Sequence, residues 1–380
     1  MTIARTTRAR ALRAGLAAVA AGAVVAAVLA VPANTARASG EWTVQPAPPT
    51  VGDSALLAVA AASPGAVWTG GYQFERPNDH PCLGVVCWSL PALLNPTLQR
   101  WDGAAWHWLN TPGMPDLGRI LRLDAVSVSD LWAVGMRYSE YSDEGPDYIA
   151  HFTGTTSTEL QAPTGLDHIA ALAADQQGAW LAGTANARYN GSPVYRWNGL
   201  AWIPYSLAAT VSGLSERTPD DVWAVGADAD GAPYAARYDG SSWRTVTPPQ
   251  LANARGTLLS VLPLGPDDVW ATGYTTAGEQ RVDRSYHWDG TAWQEAAAPG
   301  GAHFGGALAD DRTGGLWATV DSGTLAGTSD LLHYADGTWR REATVSGSKT
   351  SITALAHVPG TGTVWAVGAR DGAPFAISRG

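Results

Sequence analysis

Residues 256–299 read GTLLSVLPLGPDDVWATGYTTAGEQRVDRSYHWDGTAWQEAAAP. Four short β-prone runs stand in this stretch, separated by turn residues. Pro266-Asp267-Asp268 closes the first pair. Asp289-Gly290 closes the last, a strong hairpin signal because glycine takes a positive φ without penalty. The stretch is not unique. Trp270, in DVWATG, has counterparts at Trp68, Trp132, Trp180, Trp223, Trp317 and Trp365. From Trp180 onward the steps between them are 43, 47, 47 and 48 residues. Six of the seven are followed by x-x-Gly, whereas Trp317 is followed by Ala318-Thr319-Val320. A period in the forties marks an array of small supersecondary units. Four antiparallel strands per unit, repeated radially, predict an all-β, seven-bladed β-propeller.

The second half of each unit repeats as well. Arg100-Trp101-Asp102-Gly103 leads to Trp106, Arg196-Trp197-Asn198-Gly199 to Trp202, and Arg237-Tyr238-Asp239-Gly240 to Trp243. His287-Trp288-Asp289-Gly290 leads to Trp293, and His333 to Trp339 with a one-residue shift. The second unit is worn down: His151-Phe152-Thr153-Gly154 has no tryptophan after it. The last unit has only three strands before the chain stops. Glu41-Trp42-Thr43-Val44-Gln45-Pro46 has the character of a fourth strand, so the N-terminal strand is expected to complete the last blade and close the ring, which removes exposed sheet edges. A tryptophan at one strand position in every blade reads as packing between blades, each burial contributing about 2–3 kcal/mol. The same holds for the Arg or His that precedes each aromatic-Asp-Gly.

The ends and the composition bound the setting. Arg5, Arg8, Arg10 and Arg13 precede an apolar run over 14–31, and Ala36-Arg37-Ala38 follows as a small-x-small cleavage signal. That order predicts a signal peptide over 1–38 and a single propeller domain over 39–380, secreted and extracellular, with a retained membrane anchor as the competing reading. With 24 basic and 34 acidic residues the chain carries −10, and loss of five arginines and no acids takes the mature chain to −15. Such a balance argues against nucleic acid or anionic lipid as partner. Cys82 and Cys87, in PCLGVVC, predict a short disulfide in an oxidising compartment, stabilising by roughly 2 kcal/mol. A metal held together with His80 is the alternative, with too few ligands for a closed zinc site.

Function is sought where the repeat breaks. The largest break, from Tyr72 to about Thr97, holds Glu75, Asp79, His80, both cysteines and Trp88. The next, from Met136 to Tyr148, alternates Tyr138, Tyr141 and Tyr148 with Glu140, Asp143, Glu144 and Asp147. In the fifth unit Arg281, Asp283 and Arg284 are expected on the corresponding loop. Trp88, Tyr138 and Tyr141 are candidate platforms for stacking on sugar faces, with Asp79, Glu140, Asp143 and Arg284 as hydrogen-bond partners. No cofactor is implied. The acidic loops, and Asp228-x-Asp230-Gly231, supply the hard oxygen ligands calcium takes, but no spacing matches a calcium loop.

No nucleophile elbow or zinc-protease motif occurs. A glycoside hydrolase or polysaccharide lyase would need facing carboxylates, for which Glu75, Asp79 and His80, or Glu75 with Asp143, are the candidates. The repeats resemble the kelch and Asp-box types of β-propeller, the second through its Asp-Gly-x-x-Trp hairpin. The Asp-box of sialidases has one more residue between Asp and Gly, and their Arg-Ile-Pro signature is missing, since Arg119-Ile120 is followed by Leu121. Galactose oxidase, a kelch enzyme, uses a Tyr-Cys cross-link, and here the two cysteines are expected to pair with each other. DVWAVG with RWDGxxW also resembles secreted propellers of filamentous, high-GC bacteria, among them lectin-like subunits of umbrella-type toxin particles. A regular scaffold with aromatic and acidic loops and no catalytic signature predicts a non-catalytic, lectin-like binding protein that recognises an extracellular glycan or surface receptor, and the resemblance implies a targeting role with a protein partner in a secreted complex.

Overall fold

The structure is a computed structural model, and it describes residues 40–76, 82–83, 86–87, 93–109, 114–138, 145–185, 193–251, 253–300, 302–320, 330–343 and 350–380. The segment expected to be a signal peptide therefore lies outside the described residues. Seven antiparallel four-stranded sheets follow one another along the chain. In the first six blades the strands, called a to d from the channel outward, run in chain order. The fifth blade, for example, consists of Arg255–Gly265, Asp268–Ala277, Gln280–Trp288 and Trp293–Ala296. The seventh takes its first three strands from Thr350–His357, Val364–Arg370 and Ala373–Arg379 and its fourth from Thr43–Val44, with Thr43 opposite Ser378 and Val44 opposite Ile377. Leu56, Val59 and Val67 of the first blade share a core cluster with Trp365, Val367 and Ala376 of the seventh, so the sheets form a closed ring.

The tryptophans hold the blades together. Trp132, Trp180, Trp223 and Trp317 are among the largest fully buried side chains. Six of the seven strand-b tryptophans lie directly opposite an arginine or histidine of strand c: Trp68 faces Arg100, Trp132 His151, Trp180 Arg196, Trp223 Arg237, Trp270 His287 and Trp317 His333, whereas Trp365 faces Ser378. The guanidinium of Arg237 lies 5.3 Å from the Trp223 ring centroid, and the His333 ring stacks on Trp317 at 4.0 Å. In the second to sixth blades an aspartate at the a–b turn then fixes that side chain, as Asp221 does for Arg237 at 2.7 Å and Asp268 for His287 at 2.8 Å. The ionisable residues that recur in the repeat are therefore scaffold.

The Trp-x-x-Gly phrase also has a physical cause. At Gly226 a Cβ would stand 1.8 Å from the carbonyl oxygen of Thr210 on strand a, and at Gly71, Gly135, Gly183, Gly273 and Gly368 the same approach is 1.8–2.3 Å. Strand a carries a bulge beside each of them, as between Val211 and Gly213. The bulge drives its backbone into the space a side chain would need. The sixth blade is the exception in structure as well as in sequence: its register shift falls between Phe304 and Leu308, and Val320 pairs with Phe304. At the outer hairpins Asp102, Asn198, Asp239 and Asp289 each accept two backbone N–H groups, and the glycine that follows takes φ between 88° and 101°. The backbone bonds hold the Asp102 carboxyl down at about 2, and the Ser241 hydroxyl, together with the backbone bonds, does the same for Asp239.

Candidate functional site

Strand a of every blade faces a central channel, whose waist has a volume of about 390 Å³. Arg122 projects into it, its Nε donating to the Ala170 carbonyl at 3.1 Å and an Nη to the Leu121 carbonyl at 2.8 Å. Surrounding protein desolvates this guanidinium and lowers its pKa, an effect that Asp147 opposes. The two mouths differ in chemistry.

At the mouth ringed by the a–b turns, carboxylates converge. Burial raises the Asp124 carboxyl to about 6, against the pull of the Ala174 N–H at 2.8 Å. Burial, reinforced by the neighbouring Asp175 carboxylate, raises Glu216 to about 9. Both Glu216 oxygens are buried and, among the described residues, accept no hydrogen bond. Asp310 and His357 border the same mouth. No group of three His, Cys, Asp or Glu side chains among the described residues is arranged to hold a metal ion.

At the mouth formed by the b–c links, a groove of about 480 Å³ opens between the fifth and seventh blades. Leu259, Phe304 and Ile352 line it, and Gly305-Gly306 leave bare backbone along one side. Arg281 stands over the Tyr274 ring at 4.4 Å, and one of its Nη atoms donates to the Phe304 carbonyl at 2.7 Å. A Cβ at Gly306 would meet nothing within 4 Å, so the groove is open at that point. Sequence reasoning placed Arg281 on a loop and gave Tyr274 no role. What could have marked the site is the Gly305-Gly306 pair, which breaks the pattern of every other strand a.

The residues singled out from the sequence scatter. Trp88, Asp79, His80, Glu140, Tyr141 and Asp143 lie outside the described residues. Glu75 falls within strand b of the first blade, which continues to Arg76 rather than ending near Tyr72, and strand c begins at Leu93. The connection is correspondingly shorter than expected and contains a small hairpin in which Cys82 pairs with Cys87 along the backbone. Tyr138 is half-buried beneath the Arg119 guanidinium, 5.7 Å from its ring. Arg284 is not on a loop: it lies within strand c, bonded to Glu295 at 2.6 Å and to Thr275 at 3.1 Å. Tyr138 and Arg284 sit on the second and fifth blades and are not brought together.

Two further loop assignments are corrected. Asp147 and Tyr148 begin strand c of the second blade. Tyr148 is fully buried, and Asp147 accepts the Ile169 N–H of the third blade. Asp283 makes the equivalent clasp in the fifth blade, accepting the Phe304 N–H at 2.9 Å. Asp228 caps its own turn, its Oδ1 taking the N–H groups of Asp230 at 2.9 Å and Ala232 at 2.8 Å.

The chain matches no protein-family profile and no curated protein. Solved propellers match its fold. YCF48 from Cyanidioschyzon merolae aligns with a TM-score of 0.55 at 14% identity, covering 90% of this chain and 99% of that one. YCF48 bound to D1 peptide aligns at 0.58 with 14% identity, over 90% and 98% of the two chains. The extracellular domain of a putative one-component system from B. thetaiotaomicron aligns at 0.55 with 13% identity, covering 85% of this chain and 38% of that one. At such identities the likeness is one of fold. Among the described residues no helix is long and apolar enough to cross a membrane.

Proposed function

We propose that this is an exported, non-catalytic binding propeller that takes an extracellular glycan in the groove at its b–c mouth. The observation that carries the reading is the combination found there: the Arg281 guanidinium on the Tyr274 ring, above open glycine backbone, in a groove of about 480 Å³. Pockets of roughly 300–1,000 Å³ with a few placed polar groups are the size that small ligands use. An aromatic edge, a guanidinium and exposed backbone amides suit the C–H faces and hydroxyls of a sugar. The basic leader over 1–38 and the Cys82/Cys87 hairpin fit an exported chain whose cysteines are joined, and intact mass before and after reduction tests the bond. A glycan array with protein lacking residues 1–38 tests the ligand. Gly306→Trp, which fills open space, should abolish binding without loss of fold. Folded protein that binds no glycan overturns the assignment.

A second reading is peptide capture at the same mouth. It is supported by the similarity in fold to YCF48 bound to D1 peptide. A peptide library would then give hits that Gly306→Trp removes, while the glycan array stays blank. Co-purification from culture supernatant tests whether the propeller serves as the targeting subunit of a secreted complex.

A further inference from the structure

The blade-to-blade seams repeat one contact, and one seam lacks it. At five of the seven seams a tryptophan on or next to strand d packs its ring against the strand-b tryptophan of the blade before it. Trp106 meets Trp365 at 5.6 Å, Trp202 meets Trp132 at 6.4 Å, Trp243 meets Trp180 at 5.4 Å, Trp293 meets Trp223 at 5.7 Å and Trp42 meets Trp317 at 5.0 Å. Trp339 shares a core cluster with Trp270. The second blade has Ser157 at this position: it pairs with Phe152 as Trp106 pairs with Trp101 and Trp293 with Trp288. Trp68 of the first blade is therefore the one strand-b tryptophan with no indole sent to it from the next blade.

A cavity of about 270 Å³ occupies that seam. Trp68, Leu131 and Phe152 form apolar walls, Leu109 closes one side, and Val128, 52% exposed, stands at the rim. Arg100 borders it and lacks the turn aspartate that Arg196 and Arg237 have. Among the described residues its Nη2 donates to the Gly65 carbonyl alone, at 3.3 Å, and its Nε is buried without a partner. An apolar cavity of about 150 Å³ is enough to take up benzene. This one is larger and has an aromatic wall that five equivalent seams cover with an indole ring.

We propose that the seam between the first and second blades is a binding socket for an indole ring supplied from outside the chain, either as a free small molecule or as a tryptophan of a partner segment. The ring would take the edge-on place against Trp68 that Trp293 takes against Trp223. Its N–H has an acceptor at hand: Trp293 Nε1 donates to the carbonyl of Val246, three residues beyond Trp243, and Leu109 stands three residues beyond Trp106. The socket lies between blades, away from the b–c groove, so its fate and that of the glycan reading are separate.

The test uses the folded propeller with indole in one arm and the peptide acetyl-Ala-Trp-Ala-amide in the other. Binding is read by saturation-transfer NMR and by the shift in Tm. Binding in the indole arm alone assigns the socket to a small molecule, and binding in the peptide arm assigns it to a partner segment. Ser157→Trp fills the socket from within; it should raise Tm by itself and reduce binding in either arm at least tenfold. Should that variant not fold, Val128→Trp blocks the rim from an exposed position and should give the same loss. Absence of binding in both arms, or binding that persists unchanged in the folded filled or rim-blocked variant, overturns the proposal.

Discussion

Trp293 meets Trp223 edge to face, with ring centroids 5.7 Å apart and planes at 85°, across the seam between the fifth and fourth blades. Both rings are buried, and Trp293 Nε1 bonds to the Val246 carbonyl on the far side of the seam. Trp293→Ala removes the packing and leaves that carbonyl without its donor. A loss of about 3–5 kcal/mol is expected from the cavity alone. Urea unfolding should show it as a lower midpoint, whereas alanine at Trp108, which is 46% exposed, should cost far less.

The glycine of Trp-x-x-Gly should tolerate no side chain. A Cβ at Gly226 would lie 1.8 Å from the Thr210 oxygen, a backbone atom that cannot swing aside. Gly226→Ala is expected to unfold the fourth blade or lower Tm by well over ten degrees. Gly314→Ala is the control: it too changes a glycine, at φ 90°, but a Cβ there meets nothing within 4 Å. It should show only the smaller cost of a strained φ, about 1 kcal/mol. Thermal unfolding of the two variants side by side separates steric clash from backbone strain.

The fold was legible because each blade repeats its physical constraints in residue type. Trp270, Gly273, His287 and Asp289 each do a fixed job, and their counterparts repeat it at nearly constant spacing. The candidate site was less legible. Asp147, Asp283 and Arg284 look like free loop charges in the sequence, yet they serve as blade-to-blade clasps or strand pairs, because hydrogen bonds to distant backbone leave no local sequence mark. The socket beside Trp68 had a signal, the missing tryptophan after Phe152. Its meaning depended on knowing which neighbour that tryptophan would have touched.

Asp221 gathers three donors. Arg217 Nε reaches one oxygen at 2.6 Å, while Arg237 Nε at 2.7 Å and Trp223 Nε1 at 3.0 Å reach the other. The carboxylate is almost wholly buried, so removing its charge strands partly buried guanidinium groups. Breaking a buried pair from one side costs about 3–5 kcal/mol. Asp221→Asn keeps the shape and should lose a large part of that sum, measured as a drop in unfolding free energy. In contrast, Glu295→Gln, which loosens the more exposed pair with Arg284, should cost about 0–1 kcal/mol.

Glu216 gives the channel a pH dependence with a definite sign. Its folded-state pKa, raised to about 9 from 4.5, means the folded protein holds a proton that the unfolded chain releases. Stability from this group is complete below about 4.5 and is lost as pH rises towards 9, because the carboxylate must then ionise beside Asp175 in a desolvated place. Asp124, raised from 3.8 to about 6, adds a loss of the same sign over a lower window. Glu216→Gln keeps a neutral side chain at every pH. It should leave Tm near its wild-type value at pH 4.5, raise it by several degrees at pH 8, and flatten the decline between. Equal effects of the substitution at both pH values would show that the Glu216 carboxyl is not held protonated by its surroundings.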